Sequence, residues 1–227
     1  MIEEIKLRVN DLLGNENSGH GMDHVNRVLY LALKFADKEH ADKDIVSLIA
    51  LLHDVDDYKL FGTKNANELN NAKKIMTECG IDFDVQNIVC EEIKTIGFNK
   101  YLKGIRPSTL EGKIVSDADM CDAIGAVGII RAHAYSIKNG DPFFDKNIFP
   151  IANITVNQYT KSRKDTSTVC HMFEKLLKLK GLMLTEAGKE EAKSRHEFLI
   201  AFLYQLFKEE NLPQWKSYLD DFLKNNR

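Results

Sequence analysis

The sequence predicts an all-α protein folded as a single-domain, irregular helical bundle. Three observations carry that expectation. Only 4 prolines interrupt 227 residues, leaving long stretches free to be helical. Apolar residues recur at the three-and-four spacing of one helix face, and no apolar-polar alternation runs long enough to build a sheet.

The first periodic block runs from Asp23 to about Lys38 and places Val25, Val28, Leu29, Ala32, Phe35 and Ala36 on one face, which predicts a helix capped near Asp23. Asp42 is suited to cap the next helix, whose Ile45, Leu48, Ile49 and Leu52 lead directly into His53-Asp54. Further helices are expected at about 67–79, stopped by Gly80, at about 84–96, stopped by Gly97, and at about 109–133, starting near Ser108. Residues 138–165 mix Gly140, Pro142 and Pro150 with asparagines and aromatics, the pattern of a long irregular segment flanking a site. Helical spacing returns through Val169, Phe173, Leu176 and Leu177, and again from Glu186 to Leu206. With neither repeat nor low-complexity tract, one domain over 1–227 is the expectation.

Composition narrows the function. A content of 44% hydrophobic and 29% charged residues is that of a soluble globular protein. The net charge of -3 gives no basic stripe for polymeric nucleic acid. MIEEIKLRVN lacks the basic and apolar regions of a signal peptide, and no run of about 20 apolar residues spans a membrane. The cysteines Cys79, Cys90, Cys121 and Cys170 form no paired motif, consistent with free thiols in the cytoplasm. Cys121, in an apolar stretch, reads as a small core residue.

The chemistry concentrates around His53-Asp54. Both follow the apolar run IVSLIALL, so an ionisable pair falls where the pattern predicts interior, and a buried carboxylate is costly without compensation. A divalent cation compensates it, because imidazole and carboxylate together suit Mn, Fe, Ni or Zn. His24, at the start of the first long helix, and Asp119, within SDADMCDAIGA, are positioned to complete the set. Any one of these residues alone is more often a satisfied core group. Their conjunction is the signal.

The order His24, His53-Asp54, Asp119 resembles the signature of the HD superfamily of metal-dependent phosphohydrolases. The blocks GHGMDHVNRV, ALLHDVDDYK, IVSDADMCDAIGAVGIIR and HMFEKLLKLKGLMLTEAGKEEAKSRHEF are similar to those of a bacterial single-domain branch, over about residues 20–205. The resemblance implies an all-helical HD-type bundle with His24, His53, Asp54 and Asp119 as metal ligands. Asp119 fits the last position better than Asp117, which becomes a candidate behind the ligands. Members with a second metal use further histidines, whereas no histidine lies between His53 and His133. One divalent ion is expected, drawn from Mn, Fe, Ni, Mg or Zn, with Mn favoured.

Asp57, three positions after Asp54, is a candidate to orient or deprotonate an attacking water, Asp54 being the paired catalytic carboxylate. For a phosphorylated substrate the candidate contacts are Lys59, Lys175 and His20, the last sharing a helix face with His24 if the helix extends back that far. Arg27, Lys94 and Arg195 are further cations near the matching blocks. Phe143, Phe144, Phe149 and Tyr159 are candidates to stack a base or to anchor their segment. The resembling branch implies a nucleotide substrate, with (deoxy)nucleoside triphosphate split to monophosphate and pyrophosphate. Other phosphoesterase activities, on a cyclic nucleotide, guanosine tetraphosphate or a nucleoside monophosphate, and a non-catalytic metal- or nucleotide-sensing module, are the alternatives. A homodimer is compatible with a helical chain of this size, though no heptad stripe demands one.

Overall fold

The structure, a computed structural model, describes residues 1–16, 19–151 and 165–225, and of Lys59 the backbone alone. Among these residues every regular element is helical. Helix α1 (Ile2–Leu13) buries Ile5, Val9 and Leu13, a spacing of four that makes the amphipathic amino terminus a helix. Helix α2 (Met22–Glu39) starts from an extended Gly21 and ends where His40 turns left-handed. The start lies one residue earlier than expected, and Asp23 sits inside the first turn without a capping bond. Asp42 does cap α3 (Lys43–Leu52), its carboxylate accepting from the Asp44 and Ile45 amides.

The expected helix at 67–79 is two elements, α4 (Tyr58–Glu68) and α5 (Asn70–Glu78), because Leu69 between them adopts φ 53°. Helix α6 (Phe83–Ile93) is capped by Asp82, and a short α7 (Phe98–Leu102) follows. The long helix expected at 109–133 is also divided, into α8 (Leu110–Asp122) and α9 (Gly125–Lys138). Ile124 is extended and Gly125 takes φ +81°, which L side chains rarely adopt. A Cβ on Gly128 would lie 2.3 Å from the Ala123 carbonyl oxygen, so the second helix turns back tightly on the first.

Residues 139–151 form no helix, in keeping with the irregular reading, while 152–164 of that segment, including Tyr159, lie outside the described residues. Chain order resumes with α10 (Thr168–His171), a π-helical turn (Met172–Leu176), α11 (Leu177–Leu179) and a 3-10 turn (Lys180–Leu182). Helices α12 (Glu186–Glu209) and α13 (Pro213–Asn225) close the chain. The last was not anticipated from the pattern.

Helices α2, α3 and α8 make the central packing, and α12 lies across α8 and α9. One core cluster runs from Ile5 to Leu219. Asp117 helps fix this arrangement: its carboxylate accepts from the Leu184 and Thr185 amides and from the Thr185 hydroxyl, at 2.7–3.0 Å. Burial nevertheless pushes the Asp117 carboxyl up. At the far end Trp215 donates to the Lys146 carbonyl and stacks on Phe149, ring centres 4.5 Å apart. Phe144 meets the same indole edge-on, and Phe143 packs on Phe202. These three phenylalanines anchor the irregular segment to α12 and α13, and none is turned toward the site described next. No helix among the described residues is long and apolar enough to cross a membrane.

Candidate metal centre

The carboxyl end of α3, the start of α2 and the last turns of α8 converge. His53 follows the last residue of α3, and its Nδ1 lies 2.8 Å from the Ala50 carbonyl oxygen. His24, in the first turn of α2, places Nδ1 2.7 Å from Asp122 Oδ2. A carbonyl and an ionised carboxylate only accept, so both Nδ1 atoms carry the proton and both Nε2 atoms present lone pairs. Those two lone-pair nitrogens face each other across 3.2 Å. Such an approach is repulsive unless a cation or a proton lies between them.

Carboxylates complete the cluster. Asp54 Oδ2 is 3.4 Å from His24 Nε2 and 3.5 Å from His53 Nε2, and Asp119 Oδ1 is 3.5 Å from His24 Nε2. Separations of this size are those of neighbouring ligands around one ion at ~2.0–2.2 Å. His24, His53 and Asp119 form one group able to hold a metal ion, and His20, His24 and Asp54 a second that overlaps it. The residues therefore fit a divalent ion, and the mixed nitrogen and oxygen donors suit a transition metal better than calcium.

The electrostatics agree. Burial by itself pushes the Asp54 carboxyl up, but His53, His20 and His24 around it hold it well below the usual carboxylate range. His20 Nδ1 is 2.8 Å from Asp54 Oδ2. Because α2 begins at Met22, His20 reaches this place from the preceding loop and not along the helix face. Asp57 also begins α4 off the end of the same turn and lines the same cavity as Asp54. Asp56 points elsewhere, accepting from the Asn71 and Ala72 amides at the start of α5.

Asp122 is the residue the pattern did not single out. Fully buried, it accepts from His24, from Arg27 Nε at 2.7 Å and from Arg131 Nη1 at 2.6 Å. Burial opposes its ionisation, yet these donors hold its carboxyl far below the usual range. It stands behind His24 and fixes that ring's tautomer and orientation. The available signal was its spacing: Asp122 is three positions after Asp119, hence near the same face of α8. Asp117, the alternative to Asp119, is turned to Leu184 and Thr185 and makes no bond to the cluster.

The cations divide as well. Arg27 is committed to Asp122, and Arg195 to Glu191 and the Cys121 carbonyl. Lys175 and Lys94 line the cavity that opens over the cluster, of about 690 Å³. Burial lowers the Lys175 ammonium to about 8 despite Asp119 nearby, and its Nζ lies 5.4 Å from the Phe98 ring centre. The Lys59 side chain falls outside the described residues. Cys121 is buried against Met183, which pushes its thiol up to about 12.

The HD domain family pattern matches residues 21–124, the span from the loop before α2 to the end of α8. The chain is 34% identical over 208 residues to the uncharacterized protein YpgQ of Bacillus subtilis, covering 91% of this chain and 92% of that one. A solved structure from Lactobacillus plantarum superposes with a TM-score of 0.80 at 32% identity, covering 92% and 96% of the two chains. A Bacillus thuringiensis structure described as an HD-superfamily hydrolase gives 0.70 at 31%, with the same coverage. YpgQ itself, solved in complex with ADP, gives 0.68 at 31%, covering 92% of this chain and 97% of that one. HD domains bind divalent metals, and clusters able to hold one lie within the matched span or beside it. On its sequence and its fold alike, the chain belongs to the HD domain family and is a metal-dependent phosphohydrolase of the HD superfamily.

Proposed function

We propose that the chain hydrolyses nucleotides, with (deoxy)nucleoside triphosphate cleaved to monophosphate and pyrophosphate as the reading best supported. The observation that carries it is the close approach of the His24 and His53 Nε2 atoms, 3.2 Å apart beside Asp54 and Asp119, with His53 and both carboxylates lining a cavity of about 690 Å³. That volume is within the range of small-molecule and cofactor sites. That YpgQ was solved in complex with ADP supports a nucleotide as the ligand class.

In this reading His24, His53, Asp54 and Asp119 hold one divalent ion, drawn from the several the mixed ligand set accommodates, with manganese taken as the first to test. Bound there, the ion supplies Lewis acidity for a phosphoryl oxygen and makes water easier to deprotonate. The protein does the rest. Asp122 and the Ala50 carbonyl hold the two imidazoles in the ligating tautomer. His20 donates to Asp54 and keeps that carboxylate aimed at the cluster. Asp57 lines the cavity, and in this reading it orients or accepts a proton from the attacking water. Lys175 offers a cation to the substrate's phosphate, and Lys59 enters α4 immediately after Asp57 and Tyr58. We further propose that residues 1–227 work as one domain and that the chain acts in the cytoplasm, where its free thiols Cys79, Cys90, Cys121 and Cys170 stay reduced.

The test is metal analysis of the purified protein and of Asp54→Ala, paired with a nucleotide panel supplemented with manganese and read separately for phosphate and pyrophosphate. About one ion per chain, lost together with turnover in the variant, is expected. Stoichiometric metal with no nucleotide turned over would remove the substrate assignment; no metal under replete conditions would remove the ligand set.

A further inference from the structure

The cavity over the cluster is lined by carboxylates, those of Asp54, Asp57 and Asp119 at the cluster among them, and by three lysines of the α6–α7 segment, Lys94, Lys100 and Lys103. Lys94 directly follows α6, and Lys103 directly follows α7, three positions after Lys100, a spacing at which helical side chains are neighbours. Burial holds the Lys100 ammonium down first, and the nearby charges of Lys103 and Lys94 add to that effect. Lys94 has a partner in Glu91, at 2.7 Å on its own helix, whereas no ion pair joins Lys100 or Lys103 to a carboxylate among the described residues.

Like charges gathered on a half-buried wall cost free energy, which a bound anion returns. These lysines are also connected to the cluster. Lys175 lies between them, its Nζ over the Phe98 ring of α7 on one side and under the influence of Asp119 on the other. A track of positive charge therefore leads away from the cluster toward α7. A single phosphate at the cluster does not extend along it; a chain of phosphates does.

We propose that Lys94, Lys100 and Lys103 form an anion subsite for the phosphate groups beyond the one attacked, so that the chain favours substrates carrying two or three linked phosphates over phosphomonoesters. The assignment rests on the reading of this cavity as the nucleotide-hydrolysing site. In a cleavage that releases pyrophosphate, the subsite holds the leaving portion.

The probes are inorganic tripolyphosphate and orthophosphate, titrated calorimetrically into the full chain at one fixed free manganese concentration. Tripolyphosphate is expected to bind at least about tenfold more tightly than orthophosphate, since each charge-assisted contact contributes on that order. In Lys100→Met/Lys103→Met the advantage falls to roughly threefold or less, with orthophosphate affinity nearly unchanged. Should the double variant not fold, Lys103→Met, at an exposed position, is read alone and must lower the tripolyphosphate advantage by itself. An advantage retained in the variants overturns the subsite. If nucleotides are turned over and the advantage ignores the lysines, the subsite falls and the nucleotide reading stands; if no nucleotide is turned over and the advantage still depends on the lysines, the reverse holds.

Discussion

Asp122→Asn separates a ligand-orienting role from a merely structural one. The wild-type carboxylate accepts from His24 Nδ1 at 2.7 Å, Arg27 Nε at 2.7 Å and Arg131 Nη1 at 2.6 Å. Asparagine keeps the shape but has one acceptor oxygen, and its amide adds donors where donors already point. If the oxygen stays toward His24 and Arg131, Arg27 is left facing an NH2; with about a third of its side chain exposed, Arg27 swings to water. If the amide faces His24 instead, the imidazole must move its proton to Nε2 and lose the lone pair aimed at His53. Either way His24 loses an ionised partner and becomes a poorer ligand. Loss of such a partner costs about 10–100-fold in metal affinity, or about 1.4–2.7 kcal/mol. Stability of the metal-free protein falls too, since Arg131 keeps its buried charge with a weakened acceptor, at a cost of about 1.5–3 kcal/mol. Manganese titration by calorimetry, with melting curves in chelator, reads the two effects independently. A variant that melts lower but binds manganese within about twofold of wild type would refute the orienting role and leave Asp122 as an anchor for two arginines.

Three further outcomes follow from the same geometry. Asp54 and Asp122 are held below their unfolded values, so their stabilisation is complete above about pH 4 and is lost as pH falls through the folded pKa; in metal-free melts these two groups should leave stability level down to about pH 4 and make it fall steeply below that, and Asp122→Asn should flatten that fall. Lys175 titrates at about 8, so it sheds its charge above that pH; KM for a phosphate substrate should rise there, while Lys175→Met shows a raised KM with no such pH step, and a step of equal size in the variant would exclude Lys175 as its origin. In the folded state the neutral form of that lysine is favoured, so its effect on stability becomes less unfavourable from about pH 8 to the unfolded value near 10.4. Finally, a Cβ on Gly188 would lie 2.3 Å from Asp117 Oδ2, and Asp117 is tied to Leu184 and Thr185; Gly188→Ala should cost about 2–3 kcal/mol, a drop of roughly 4–10 °C in Tm, and an unchanged melt would show that Asp117 yields.

Much of the architecture was legible because the helices carry their apolar faces at regular spacing. What escaped the pattern was where helices break. Residues 109–133 continue an apolar rhythm through Ile124, yet the extended Ile124 and the positive φ of Gly125 divide them. Periodicity is blind to such a turn, because a glycine inside a helical pattern is also tolerated. In the candidate site, His53 and Asp54 were legible as polar residues at the end of a buried run, and the structure gathers them with His24 and Asp119. Asp122 was not, because its importance lies in three donors from α2 and α9 that meet only in the fold. His20 arrives at Asp54 from a loop although helix spacing suggested the approach. Phe143, Phe144 and Phe149 were open to two readings, stacking a base or anchoring their segment, and Trp215 and Phe202, distant in sequence, claim those rings for anchoring.

The turn after α3 gives Asp54 and Asp56 different employers. One carboxylate faces the cluster while the other, two residues on, receives the first amides of α5. A single short turn thus supplies both a carboxylate of the cluster and the acceptor for the opening amides of α5, which packs against α6. Amide exchange at Asn71 and Ala72, compared with and without manganese, reads whether occupancy of the cluster is felt at the start of α5.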